Sequence, residues 1–123
     1  MRIATSLLPE FDAEVATTRR VLERVPCDRL EWRPHPKSFS MHQLAGHVSE
    51  LPGWLSITID GDSFDDAAES GREKFSFSST GDLLAHFDAN VTSARAALAA
   101  ATDERMLGSW SLIVKGAPVF TLP

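Results

Sequence analysis

The sequence predicts an all-α fold: a helical bundle with one long crossover and a short β-hairpin near its end. Three observations carry this expectation. Apolar residues recur at helical spacing over three stretches, and prolines and polar tracts separate those stretches. Near the end, Lys115-Gly116 lies between two short β-prone runs. A chain of 123 residues has the length of one domain, 1–123, and can bury a real core.

The first helix is expected over about residues 7–25. Leu8, Phe11, Val15, Thr18, Leu22 and Val25 form its apolar stripe, Ser6 can cap it, Pro9 falls in the first turn and Pro26 stops it. Pro26, Pro34 and Pro36 stiffen the connection that follows. The second helix has an explicit start: Ser40 and Gln43 read as a capping box, and Phe39 and Leu44 as a hydrophobic staple. Its stripe reads Met41, Leu44, Val48, Leu51 and Leu55, and Pro52-Gly53 predicts a kink or break.

Residues 60–78 read as an irregular acidic crossover. Asp60, Asp62, Asp65, Asp66, Glu69 and Glu73 outweigh Arg72 and Lys74 there, without the residue order of a calcium loop. Such a crossover lets successive helices run parallel. The third helix is expected over about 81–101. Ser79 and Asp82 form a capping pair, and Leu84, Phe87, Val91, Ala94, Leu98 and Ala101 form the stripe. Residues 110–114 and 118–122 then flank Lys115-Gly116 as a hairpin. The chain closes on Leu122-Pro123, where a proline could open a further helix.

Composition narrows the function classes. A net charge of −5 argues against a nucleic-acid partner, and no run approaches the ~20 apolar residues of a membrane span. The first residues are too short and polar for a secretory leader. The one cysteine, Cys27, permits no internal disulfide and reads as structural; a cytoplasmic setting is the expectation.

Four histidines could carry chemistry. At 100° per residue, His47 falls inside the edges of the second helix's stripe, whereas His42 points away from it. His86 lies opposite the third helix's stripe, and His35 sits in the R-P-H-P loop. His47 is therefore the inward candidate, as a metal ligand, a catalytic base or a hydrogen-bonded core residue. Glu50 borders the same side three residues on, a spacing that metal-binding bundles use. No H-E-x-x-H, H-x3-H, G-x-S-x-G, P-loop or G-x-G-x-x-G occurs.

The order of a first amphipathic helix, the tract L-E-W-R-P-H-P-K-S-F-S-M-H-Q-L-A-G-H-V-S-E-L-P-G-W, a polar connection and a third helix resembles the DinB/YfiT-like superfamily. The resemblance spans Leu7 to Pro123. It is sharpest from Trp32 to Trp54, in the W-R-P-x-x-x-S loop, the serine-capped helix and the G-H-V-x-E-L core. It implies a four-helix bundle of up-down-down-up order, often a homodimer, here lacking its last helix and so incomplete at the C-terminal side. It also implies a divalent metal, zinc or nickel, held by three histidines. His47 matches the ligand on the second helix; the other two form an H-x3-H pair on a fourth helix, and no such pair stands in this sequence.

The implied function is that of a metal-dependent hydrolase or thiol transferase acting on an unknown small molecule, with a metal site incomplete in this chain. The alternative is a non-catalytic, metal-free helical bundle that dimerises or binds a small apolar ligand. Trp32, Trp54, Trp110 and the phenylalanines could line such a pocket.

Overall fold

The computed structural model describes residues 2–69 and 73–123; Arg72 of the acidic connection lies outside the described residues. Three long helices dominate: α1 (Ile3–Leu22), α2 (Met41–Asp60) and, after a short strand β1 (Ser63–Asp65) and the single turn α3 (Asp66–Glu69), α4 (Thr80–Ala100). A second single turn, α5 (Asp103–Met106), leads into the strands β2 (Trp110–Val114) and β3 (Ala117–Leu122).

α1 starts earlier than residue 7 because its first turn is held from a distance. Asp103 accepts a 2.7 Å hydrogen bond from the Ile3 N–H, satisfying a first-turn donor, and Ser6, now inside the helix, donates to Ile3 O at 2.7 Å instead of capping. In return Arg2 donates to Ala99 O at 3.1 Å and to Ala101 O at 2.6 Å, closing the C-terminal end of α4. Pro9 consequently lies inside the helix rather than in its first turn.

The second helix begins as its residues dictate. Ser40 accepts from the Gln43 N–H at 3.1 Å, and Gln43 Oε1 accepts from the Ser40 N–H at 2.9 Å, completing the capping box. Pro52 does not break it, for α2 runs through to Asp60. At its far end Arg105 donates to Ile59 O at 2.5 Å, to Gly61 O, and to Asp62 at 2.6 Å. Those carbonyls lack intrahelical partners, and a guanidinium on α5 supplies the donors.

α4 is the central element, and its start is capped by Ser79 accepting from the Asp82 N–H at 3.1 Å. Contacts with α1 run in opposite senses along the chain: Leu22 meets Leu83 and Phe87, Arg19 meets Asp88, Asp12 meets Arg95, and Ala4 meets Leu98 and Ala101. The pair is therefore antiparallel. With α2 the numbers rise together, from Ala45 against Leu83 and Phe87 to Ile59 against Leu98, so that pair is parallel. The long crossover makes this order possible.

The expectation of an all-α bundle is overturned. β1, β2 and β3 form a three-stranded mixed sheet in that order, with β1 parallel to β2 and β3 antiparallel to it, so the fold is α+β. β1 arises inside the acidic connection, where a three-residue Ser-Phe-Asp run carries too little pattern to announce itself. Its pairing with Ser111, Leu112 and Ile113 is long-range, and tertiary pairing decides such short strands. The hairpin stands where expected. Lys115 (φ 52°) and Gly116 (φ 76°) both take positive φ, as a two-residue hairpin turn whose twist suits the strands requires. Among the described residues no helix is long and apolar enough to cross a membrane.

Candidate functional site

The side of α2 that packs on α4 differs from the one its hydrophobic stripe indicates. Ala45, Gly46, Ser49 and Ile59 are buried, while Leu44 and Leu51 stay 50% and 47% exposed. At 100° per residue the buried face is turned about 120° from Leu44. His47 is consequently exposed, which corrects the inward reading of it. The same rotation brings His42 partly inside. Phe39 and Leu44 are both largely exposed, and the Phe39 ring stands edge-on to His47, with centroids 6.4 Å apart.

Segment 73–77, arriving from the crossover, lies against both long helices through a run of rings. His42 on α2 stacks on Phe77 (4.7 Å between centroids, 11° between planes), Phe77 neighbours Phe75 at 5.9 Å, and Phe75 stacks on His86 of α4 at 3.6 Å and 7°. His42 Nε2 also accepts from the Phe77 N–H at 3.3 Å and lies 3.1 Å from Ser76 Oγ. A backbone N–H only donates, so this nitrogen holds its lone pair free and the ring proton sits on Nδ1. His86, expected to be exposed, is half-buried; its Nε2 has no hydrogen-bond partner among the described residues and lies 3.8 Å from Glu50 Oε1.

Two open clefts flank this segment. The first, of about 380 Å³, has Phe39, Gly46 and Phe75 as apolar lining and His42, His47, Glu50 and Lys74 among its polar groups. Gly46 lies beneath the rings, where a Cβ would make ordinary van der Waals contact with Phe75 and Phe77 at 3.9 and 4.0 Å. The second cleft runs along α2 and α4 past Trp54, Phe64, His86 and Asn90, and Glu50 and Phe75 belong to both. Trp54 and Phe64 pack at 4.4 Å.

His47 and Glu50 thus share a cleft, as their spacing indicated, although it is an open one rather than the core. No described residue hydrogen-bonds to the ring nitrogens of His47. His35 differs, because its Nδ1 accepts from the Lys37 N–H at 3.1 Å. Cys27 is half-buried, with its sulfur 3.4 Å from Thr80 Oγ1. Among the described residues no three His, Cys, Asp or Glu side chains come together as a metal centre. One imidazole does not hold or orient a metal ion, so the described donors do not fit a complete metal site.

The roles of His42 and His86 were hidden from periodicity read on large apolar residues alone. A signal was present: Ala45, Gly46, Ser49, Gly53 and Ser56 make a small-residue stripe on the true inner face of α2. Small side chains let two helices approach closely. Comparison with family models, with curated proteins and with solved structures gives no match.

Proposed function

We propose that this chain is the scaffold of a DinB-like, metal-dependent hydrolase or thiol transferase, in which His47 serves as one ligand of a divalent zinc or nickel ion. The observation that carries the reading is the presentation of His47: an imidazole on the open wall of a cleft, with ring nitrogens that no described residue engages. The tract from Trp32 to Trp54 supports the same family likeness. The remaining donors would come from residues beyond those described or from a second copy, and no catalytic step is assigned to the described residues alone. In the cleft, Phe39 and Phe75 would hold the apolar part of a small substrate, and Glu50 and Lys74 its polar end. The setting proposed is cytoplasmic.

The test is metal analysis of purified protein, expressed as the 123 residues and together with whatever coding sequence follows Pro123. Stoichiometric zinc or nickel in the longer protein, lost in His47→Ala, supports the reading. Stoichiometric metal that survives His47→Ala removes His47 as an essential ligand.

The apolar lining of the same cleft favours a second reading, in which a metal-free protein binds a small apolar ligand or a second copy of itself. Leu44, Leu51 and Trp54, exposed along one side of α2, suit a dimer contact. Reproducible absence of metal from the longer protein, with saturable binding of a small hydrophobic probe in the presence of chelator, would favour it.

A further inference from the structure

Segment 73–77 contributes Lys74, Phe75 and Ser76 to the walls of both clefts, so whatever holds this segment down shapes both. Two histidines hold it, and their protonation acts in opposite senses. His42 Nε2 accepts from the Phe77 N–H at 3.3 Å and sits 3.1 Å from the Ser76 hydroxyl, which can also donate to it. A proton on that nitrogen turns the acceptor into a donor facing the Phe77 N–H, so the backbone bond is lost and Nε2 can only donate to Ser76 Oγ. His86 Nε2, 3.8 Å from Glu50 Oε1, gains a charged partner when protonated.

We infer that His42 is a proton-sensitive latch, which fastens the Phe77 amide of segment 73–77 onto α2 while its imidazole is neutral and releases that amide on protonation. The inference names a regulation of the cleft described above and rests on that reading for its functional consequence alone. The charged and titratable groups around the latch are His47 and Glu50 on α2, Lys74 on the segment itself and His86 beyond Phe75 on α4. Arg33, from the preceding loop, donates to Ser38 O at 2.7 Å and to Gln43 Oε1 at 3.2 Å. The sign follows from proton counting. The released state accepts a proton that the fastened state excludes, so falling pH favours release.

The test is amide hydrogen exchange of Phe77 in the whole chain, with chelator present so that metal content plays no part. Protection factors are compared between the wild type and His42→Gln, whose amide oxygen accepts a hydrogen bond at any pH. The ratio of the two cancels the contribution of His86 and the intrinsic pH dependence of exchange. The wild-type to His42→Gln ratio is expected to fall about fivefold between pH 8 and pH 5.5, the worth of one typical backbone hydrogen bond. His42→Phe, which keeps a stacking ring without an acceptor, is expected to show low protection at both pH values. Protection of the Leu98 amide in α4 reports that each variant keeps its fold. A ratio that stays constant across this range, or a His42→Phe protein that protects Phe77 as well as the wild type at pH 8, overturns the latch. Neither result depends on whether His47 binds metal.

Discussion

α2 and α4 are of nearly equal length, 20 and 21 residues, and both carry apolar residues along most of their turns, yet they bury opposite kinds of side chain. α4 buries Leu83, Phe87, Ala94 and Leu98; α2 buries Ala45, Gly46 and Ser49, adds a large residue only at its far end with Ile59, and leaves Leu44 and Leu51 half in water. The difference is complementary. Leucine and phenylalanine projecting from α4 need room, and a partner with small side chains provides it at short axial separation. The large residues of α2 are then turned to the far side, and the functional candidates move with them: His47 faces outward, and His42 faces the rings of segment 73–77.

The contrast is most easily broken by unequal truncation. Phe87 is fully buried, and Phe87→Ala is expected to cost about 3–5 kcal/mol in urea unfolding, from lost burial and the cavity left behind. Leu51→Ala removes a side chain 47% exposed and is expected to stay within about 0.5 kcal/mol. A cost at Leu51 comparable with that at Phe87 would show that the outer face of α2 is covered in solution, as the dimer reading requires.

A smaller effect tests the closeness of the α2–α4 contact itself. A Cβ placed on Gly53 would stand 3.2 Å from Asn90 Oδ1, so the Asn90 amide must give way. That amide is not idle, because its Nδ2 donates to Ser49 O at 3.0 Å. Gly53→Leu is expected to cost about 1–3 kcal/mol through overpacking. In an Asn90→Ala background, where the obstructing group is gone, the same substitution should cost less. Equal costs in both backgrounds would mean that something other than Asn90 limits the approach.

Where a stripe combined large apolar residues with the interface that used them, it was legible in the sequence. The expected stripes from Leu8 to Val25 and from Leu84 to Ala101 do join the core, although α1 ends at Leu22, before Val25, and the fully buried Leu83 stood outside the second stripe. The capping box at Ser40 and the turn at Lys115-Gly116 were equally plain, since each needs only local chemistry. The inner face of α2 was misread because hydrophobicity ranks Leu44 and Leu51 above Ala45 and Ser49, and only the partner helix reveals that small size decides. β1 and the Arg105 clamp were illegible for another reason: both depend on pairing between residues more than 40 positions apart. That His47 and Glu50 share one side of α2 was legible from their spacing, whereas the cleft, its openness and the His42 contacts depended on the rotation of the helix.

The smallest effect separates α1 from α2 by how each is tied to α4. Arg19 grips Asp88 through two 2.9 Å hydrogen bonds, and Arg95 grips Asp12 through two at 2.8 Å, so both forks join α1 to α4. Hydrogen bonds from these guanidinium groups hold the Asp12 and Asp88 carboxyls below their ordinary value of 3.8. A carboxyl lowered in the folded state stabilises the fold above its unfolded value, and that stabilisation fades as pH falls through the lowered one. Both pairs are exposed to solvent, so the contribution is modest and screened by salt. Asp12→Asn/Asp88→Asn should therefore melt slightly below the wild type at pH 7. The difference should shrink in 1 M salt and fade as the wild type is titrated in acid through the lowered carboxyls. α2 meets α4 through small side chains, the Asn90–Ser49 hydrogen bond and the looser His86–Glu50 approach at 3.8 Å, with no bidentate guanidinium–carboxylate fork among the described residues. Amide exchange in acid should accordingly open α1 before the Ala45–Ser49 turn of α2. The reverse order would place the acid-sensitive contact on α2, and the forks would then be surface ornament of α1 rather than its tie to the core.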